Sequence, residues 1–545
     1  MYGINQTRKT KLINLEVHII KWKLGGNKEG IVIIFIFAAS LFYLFSRIWF
    51  GLNVYDEGIS LYGAVRVMEG YIPYRDFYYL YPPGNLYLLA LLFKGFGPSI
   101  LVSRIFNTII LFFILICCYF ITQKIVLDKI SLLISFFLIT LWLGMDGSFN
   151  VLALPILCIL FSSIFIFKYF ENRSRQNLII AGILTGITVY FRWDFFLYLF
   201  LSISLTLLIF NYIYYSDLGY NRLLSLIKAE KKLIIFWVFS ILTIVPLVIL
   251  LLYYVPINEL ISQFIIYPIQ IYPLYSPFPW SYQYYDLIPI FIYLCISLWI
   301  FYNLSKRNFG SKKDWKVIFL LFLGLSLTFY TKVRPDSGHF FPAMITALIL
   351  FAFFCSEIIK INYLIQPQIV IRHPISTILK FLVLFLIIGS FILYSTPVLT
   401  NKINNVTPLN LERGNGIYVS QQEDFIDAVK YIQLTVPPND KIFVGNTNTD
   451  NTDVNNVMFY FLAGRDSGVF YYDLEPGVIT TLPVQLEMIK ELQKNNVNYI
   501  ILWSGGENIN AQSNGIMVLD NYIQSHYMLS KTFGNYTIYT IKNFS

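Results

Sequence analysis

Charge is what this chain lacks most. Only 13% of its 545 residues are Asp, Glu, Lys or Arg, about half the ~25% usual for a soluble domain. That scarcity, with 57% hydrophobic and 18% aromatic residues, excludes an ordinary water-soluble enzyme. Cysteine is scarce too. Cys117, Cys118, Cys158, Cys295 and Cys355 all fall inside apolar runs, which suits small packed hydrophobes rather than a disulfide framework or a zinc site. No zinc spacing, P-loop or strand-led dinucleotide fingerprint occurs, so the common soluble cofactor and nucleotide chemistries have no motif to stand on. No small-x-small cleavage site follows the first apolar run, and many more runs come after it, so that run reads as a retained span rather than a signal peptide.

What the chain has is apolar length. Runs of the size that crosses a ~30 Å hydrocarbon core recur along it. We read eleven spans, at 31–49, 100–123, 130–145, 151–169, 178–191, 195–214, 233–254, 287–302, 317–330, 342–358 and 378–396. The net charge of +9 sits in short clusters between spans: Lys9 to Lys28, then 124–129, 173–175, 222–232 and 306–316. That distribution fits the positive-inside rule rather than nucleic-acid binding. With residues 1–30 in the cytoplasm, every basic cluster falls inside. The loops 50–99, 146–150, 192–194, 255–286 and 331–341 then fall outside. Residues 83–96 are too short to cross comfortably, begin after Pro82 and Pro83 and end near Gly95 and Gly97, and predict an amphipathic helix lying in the interface.

From 400 onward the composition changes. Acidic residues outnumber basic ones by 14 to 9 after residue 400. The segments 441–444 and 499–503 read as buried strands, and 425–435 and 483–495 as helices. That order predicts a small extracytoplasmic α/β domain over 400–545, following a transmembrane domain over 31–399.

The chemistry-bearing residues gather at the outer ends of spans. Asp56 and Glu57 follow the first span, in DEGISLYGAVRVMEGYIPYRDFYYLYPPGNLYLLALLF. As a plain structural pair they suit a helix N-terminus. As a catalytic pair they offer a general base within reach of an acceptor hydroxyl, with Gly58 and Gly63 keeping the helix slim for substrate. Arg66, Arg75 and Asp76 share this loop and are expected sugar or acceptor contacts, as are Asp146, Asn150 and Tyr282. Arg192 and Asp194 read equally as a turn-stabilising pair or as part of a site. The segment TKVRPDSGHFFPA brings Lys332, Arg334 and His339 to an outer loop. Cations there either snorkel to headgroups or bind a phosphate, for which the Arg fork is well shaped. A divalent cation, magnesium or manganese, stays open, with Asp56 or Asp146 as its ligand.

The segment YDEGISLYGAVRVMEGYIPYRDFYYLYPPG, with Arg104 leading the second span and a basic loop late in the membrane half, resembles the C-type (GT-C) membrane glycosyltransferases. The nearest flavour is the protein mannosyltransferases and the lipid A aminoarabinose transferases. The resemblance implies a polytopic α-helical fold and a polyprenyl- or dolichyl-phosphate sugar donor. It implies an essential carboxylate at Asp56 with Glu57 beside it, and a phosphate loop at Lys332, Arg334 and His339. The acceptor, whether lipid, glycan or protein, stays open. The WWDYG-like segment of oligosaccharyltransferases is lacking. The rival readings are a lipid-phosphate group transferase and a non-enzymatic polyprenyl-lipid transporter. Transporters usually bury charges within spans and break helices at mid-membrane, and here the charges gather at span ends.

Overall fold

The computed structural model describes residues 26–126, 128–271, 274, 287–306, 310–332, 337–365, 406–452, 454–506 and 515–542. The predicted span 378–396, Tyr282 and Arg334 lie outside them, as does the side chain of Lys332.

The membrane half is a helical bundle. Its helices are α1 (Gly26–Arg47), α2 (Asp56–Met68), α3 (Gly84–Phe96), α4 (Ile100–Gln123), α5 (Lys129–Leu143), α6 (Ala153–Asn172) and α7 (Arg175–Ile187), followed by α8 (Trp193–Asp217), α9 (Arg222–Tyr254), α10 (Ile257–Ile261), α11 (Ile288–Ser305), α12 (Lys312–Thr328) and α13 (Ser337–Ile365). Among the described residues seven helices are long and apolar enough to cross a membrane. This corrects the count of eleven. The predicted span at 31–49 falls largely on the 22-residue α1, whose apolar stretch Ile33–Arg47 is under 18 residues, and that at 130–145 falls largely on α5, of 15 residues. The span at 178–191 is the 13-residue α7 plus a 3-10 turn. A helix of that length rises only about 20 Å, short of the ~30 Å core.

Residues 84–96 do form the expected short helix. Its buried residues Asn85, Leu86, Leu89, Ala90 and Phe93 share one face, while Tyr87, Leu91 and Phe96 point outward. The buried stripe packs on α2. The cysteines are all free thiols, with Cys117 and Cys118 fully buried in α4.

The C-terminal part is a small α/β domain. A four-stranded sheet has the order β3 (Ile442–Asn446), β4 (Tyr499–Trp503), β6 (Tyr536–Ile541), β5 (Tyr527–Phe533). Strands β3 and β4 are parallel, pairing Ile442 with Tyr499 through Asn446 with Trp503. A parallel pair needs a long crossover, and helices α15 (Met458–Ala463) and α16 (Leu482–Lys494) supply it. Helix α14 (Glu423–Thr435) precedes β3, and α17 (Val518–His526) leads into the antiparallel β5–β6 hairpin. The four elements read from the sequence are α14, β3, α16 and β4. The hairpin, α17 and the two-stranded β1 (Val406–Pro408) and β2 (Tyr418–Ser420) were not foreseen. Within the stretch 445–453, which reads as a hydrophilic loop, the described residues 445–452 are largely tucked in. Thr449 and Asp450 are buried, and the Thr449 hydroxyl donates to Asp520 at 2.7 Å.

The domain docks on the first loop through backbone as well as side chains. Tyr418 N donates to Trp49 O at 2.8 Å and Gly51 N to Tyr418 O at 3.0 Å, so residues 49–51 lie along β2 like an added strand. Tyr78 N donates to Phe470 O at 3.0 Å. The buried apolar cluster here is continuous, running from Ile59, Leu61 and Leu86 to Val457, Phe459 and Phe461.

Candidate active site

Asp56 and Glu57 open α2, and successive helical residues point about 100° apart. One must therefore face away from the bundle when the other faces in. Asp56 is exposed and Glu57 is 0% exposed. Asn53 aligns this turn, its Oδ1 accepting from Tyr55 N at 3.2 Å and Asp56 N at 2.9 Å.

Glu57 is taken up by Arg104 of α4, itself 0% exposed. Arg104 Nε donates to Oε1 at 2.8 Å and Nη2 to Oε2 at 2.7 Å. Phe149 N adds a third bond to Oε1 at 2.9 Å. The rest of the guanidinium is spent on the carbonyls of Ile48 (2.8 Å) and Gly51 (3.0 Å). A buried ion pair stands only when both charges are fully hydrogen-bonded, and this one is. It pins the end of α1, the start of α2, α4 and the loop before α6 to one point. This corrects the expectation that Glu57 meets substrate: its oxygens are already occupied.

Other expected contacts are also structural. Arg66 is buried, donates to Asp466 of the C-terminal domain at 2.6 Å and lies 3.5 Å from the Tyr71 ring centroid. Arg75 and Asp76 pair with each other at 2.9 and 2.7 Å. Asp76 also accepts from Ile72 N, and the Arg75 hydrogen bond holds its carboxyl below the ordinary range. Asn150 caps the start of α6, its Oδ1 accepting from Leu152 N at 2.9 Å. Asp146 closes a turn by accepting from Ser148 N and Oγ at 2.9 and 2.7 Å, yet its side chain stays exposed. Gly58 and Gly63 make room for protein, not substrate. A Cβ on Gly58 would lie 2.5 Å from Met458 N, and one on Gly63 3.0 Å from a Leu86 methyl.

Among the described residues no three His, Cys, Asp or Glu side chains form a metal-ligand group.

The structure does bring Asp56 together with residues from distant loops. The focus is Tyr81, at the turn before α3. Burial drives its phenol well above the ordinary value, Arg192 pulls it back, and Asp56, Tyr330 and Glu475 push it up. These groups therefore share one electrostatic neighbourhood. Arg192, 8% exposed, is held by Asp194 at 3.0 and 2.8 Å. Its guanidinium carbon lies 4.6 Å from the Tyr81 centroid and 5.1 Å from that of Tyr330. The Arg192–Asp194 pair closes the turn into α8 and sets the guanidinium over the Tyr81 ring. His339 of α13 stacks on Tyr330 with centroids 4.6 Å apart, which brings the first turn of α13 beside Tyr330. Lys332 ends the 3-10 turn Phe329–Lys332 beside Tyr330 in sequence.

Sequence reasoning missed Tyr81, Tyr330 and Glu475. The tyrosines were hidden among 41 in the chain. Glu475 lies in YYDLEPG, where two carboxylates flanked by aromatics and a Pro-Gly turn were the available signal.

No protein-family profile and no curated protein matches the sequence. Solved structures do. ArnT from Cupriavidus metallidurans bound to undecaprenyl phosphate superposes with a TM-score of 0.55 at 10% identity, covering 94% of this chain and 98% of that one. The apo form of the same protein gives 0.53 at 11% identity, with the same coverage. The Archaeoglobus fulgidus oligosaccharyltransferase tethered to an acceptor peptide gives 0.52 at 12% identity, covering 86% of this chain and 69% of that one. The chain shares the fold of these two proteins.

Proposed function

We propose that this protein transfers a single sugar from a polyprenyl- or dolichyl-phosphate carrier to a lipid, glycan or protein acceptor at the outer face of the membrane. The observation that carries this reading is the meeting of Asp56, Arg192 and the Tyr330–His339 stack around Tyr81. One exposed carboxylate and one guanidinium both act on the Tyr81 phenol, with the His339 imidazole stacked on the neighbouring Tyr330. The fold shared with an undecaprenyl-phosphate-bound protein supports a lipid-phosphate donor.

In the proposed step the acceptor hydroxyl oxygen attacks the anomeric carbon. Asp56 takes the hydroxyl proton as the new C–O bond forms. The bond from the anomeric carbon to the carrier phosphate breaks, and the phosphate leaves with the electron pair. Lys332, Arg334 and His339 are proposed to hold that phosphate, where cations stabilise the charge that builds on it. Arg192, fixed by Asp194, adds positive potential on the same side. Glu57 is left out of the chemistry.

The outer location rests on charge. Helix α4 has 24 residues and rises about 36 Å, so Lys124 lies at the bundle end opposite Arg104. There Lys124 and Lys316 converge on Glu171 at 3.3 and 2.7 Å, and Lys313 pairs with Glu357 at 2.8 Å. A basic end of this kind suits the cytoplasm, which supports an outer position for Asp56 and the C-terminal domain.

The test is transfer by purified protein in lipid vesicles, supplied with polyprenyl-phosphate carriers of single labelled sugars. Release of polyprenyl phosphate should fall by ~10²–10⁴-fold in Asp56→Asn, the usual loss when general-base assistance is removed. Absence of turnover with every monosaccharide carrier, or near-normal turnover in Asp56→Asn, would overturn the reading.

A further inference from the structure

The acidic turn 473–475 of the C-terminal domain reaches into the neighbourhood of Asp56. Glu475 is 5% exposed. Its Oε1 accepts from the Tyr55 hydroxyl at 2.6 Å, and its Oε2 accepts from the Tyr267 hydroxyl at 2.8 Å. Tyr55 immediately precedes Asp56. Tyr267 sits in the π-helical turn Ser262–Ile271, part of the 255–286 loop. One carboxylate thus ties two separate loops of the membrane half to the C-terminal domain. The backbone reinforces the tie: Met458 N donates to Val54 O at 3.0 Å. The second carboxylate of the turn, Asp473, is 1% exposed.

A general base works only when its oxygen lies within about 3 Å of the proton it removes, and a misplacement of about 1 Å can cost ~10²-fold in rate. Asp56 is an exposed side chain on the first turn of a helix, where fraying is easiest. Tyr55 itself contributes no side-chain cap to α2. Its phenol is instead anchored 420 residues away in sequence. The direction of Asp56 therefore depends on what holds Tyr55.

We propose that Glu475 is a positioning residue for the transfer reaction, fixing the Asp56 loop against the Ser262–Ile271 turn through paired bonds to Tyr55 and Tyr267. The proposal rests on the reading of Asp56 as the base. It makes the C-terminal domain a working part of the site rather than an appended module.

The test uses the full chain in lipid vesicles with Glu475→Gln, Tyr55→Phe and their double variant. Gln removes the charge and one of the two acceptor oxygens, while Tyr267 keeps the Pro476 carbonyl at 3.1 Å as a second acceptor. In Glu475→Gln, kcat should fall by ~10–100-fold, while KM for the lipid donor stays within about twofold. The double variant should be no worse than the more damaged single variant, because both remove the same link. Hydrogen exchange at the amides of residues 53–58 gives a readout free of activity. It should speed up in Glu475→Gln and in Tyr55→Phe and stay at the wild-type rate in Asp56→Asn. Unchanged exchange and kcat in Glu475→Gln overturn the proposal, as do additive losses in the double variant. A wild-type chain that moves no sugar, with exchange still responding to Glu475→Gln, overturns the transfer reading and supports the mechanical link.

Discussion

Two adjacent carboxylates with opposite fates give the sharpest prediction. Replacing Glu57 by Ala removes three hydrogen bonds, from Arg104 Nε, Arg104 Nη2 and Phe149 N. Each bond to a charged group is worth roughly 1.5–3 kcal/mol, but these share one carboxylate and do not add. The larger effect is what remains: a guanidinium at 0% exposure with no counter-charge. Stranding one member of a buried pair costs about 3–5 kcal/mol. The chain should lose that much stability, and Glu57→Leu with Arg104→Met should recover much of it because no charge is left buried. Asp56→Asn, one position away and exposed, should leave stability near wild type and abolish most turnover. Unfolding can be followed with a thiol-reactive dye, since Cys117 and Cys118 lie buried in α4 and react only when the bundle opens. A Glu57→Ala protein with wild-type stability, and turnover as low as Asp56→Asn, would refute the argument and return Glu57 to the chemistry.

Other expectations follow from single contacts. Gly58→Ala should destabilise by about 1–3 kcal/mol, as overpacking does, because its Cβ would sit 2.5 Å from Met458 N. Wild-type stability in that variant would mean the domain docks less tightly. Burial first, and then the Glu475 charge, raises the Asp473 carboxyl well above its ordinary range. The folded state therefore holds this proton more tightly than the unfolded chain. Its stabilising effect is complete below the unfolded pKa of about 4 and fades as pH climbs through the raised folded value. Asp473→Asn should remove that slope from the stability–pH curve, and an unchanged slope would count against it. Leu434, 87% exposed on α14, should react as Leu434→Cys with an impermeant reagent on intact cells. Lys306→Cys should react only after permeabilisation, and the reverse pattern would overturn the outer-face placement.

Much of the architecture was legible because it is local. Hydropathy marked the long helices, short buried apolar runs marked β3 and β4, and helical spacing marked α14 and α16. Proline and glycine bracketed α3 correctly. The span count failed where an apolar run stops short, since composition alone does not say whether about 13 residues cross a membrane or pack inside a bundle. The exposed carboxylate at the mouth of the first loop was also visible, as an acid at a helix start.

Partners were not legible. Which of Asp56 and Glu57 turns inward depends on Arg104, 47 residues on. What holds Tyr55 depends on Glu475, 420 residues on. Arg66, Arg75 and Asp76 look like site residues in the sequence, yet they close contacts with Asp466 and with each other. Helical periodicity reports neighbours three or four positions apart. A charge in a nearly dry interior goes wherever packing brings its counter-charge. By itself the sequence determined a membrane bundle with an α/β tail and an acid at its first turn. Only the tertiary structure decided which charges were consumed in building it, because that choice is made by desolvation and pairing across the chain.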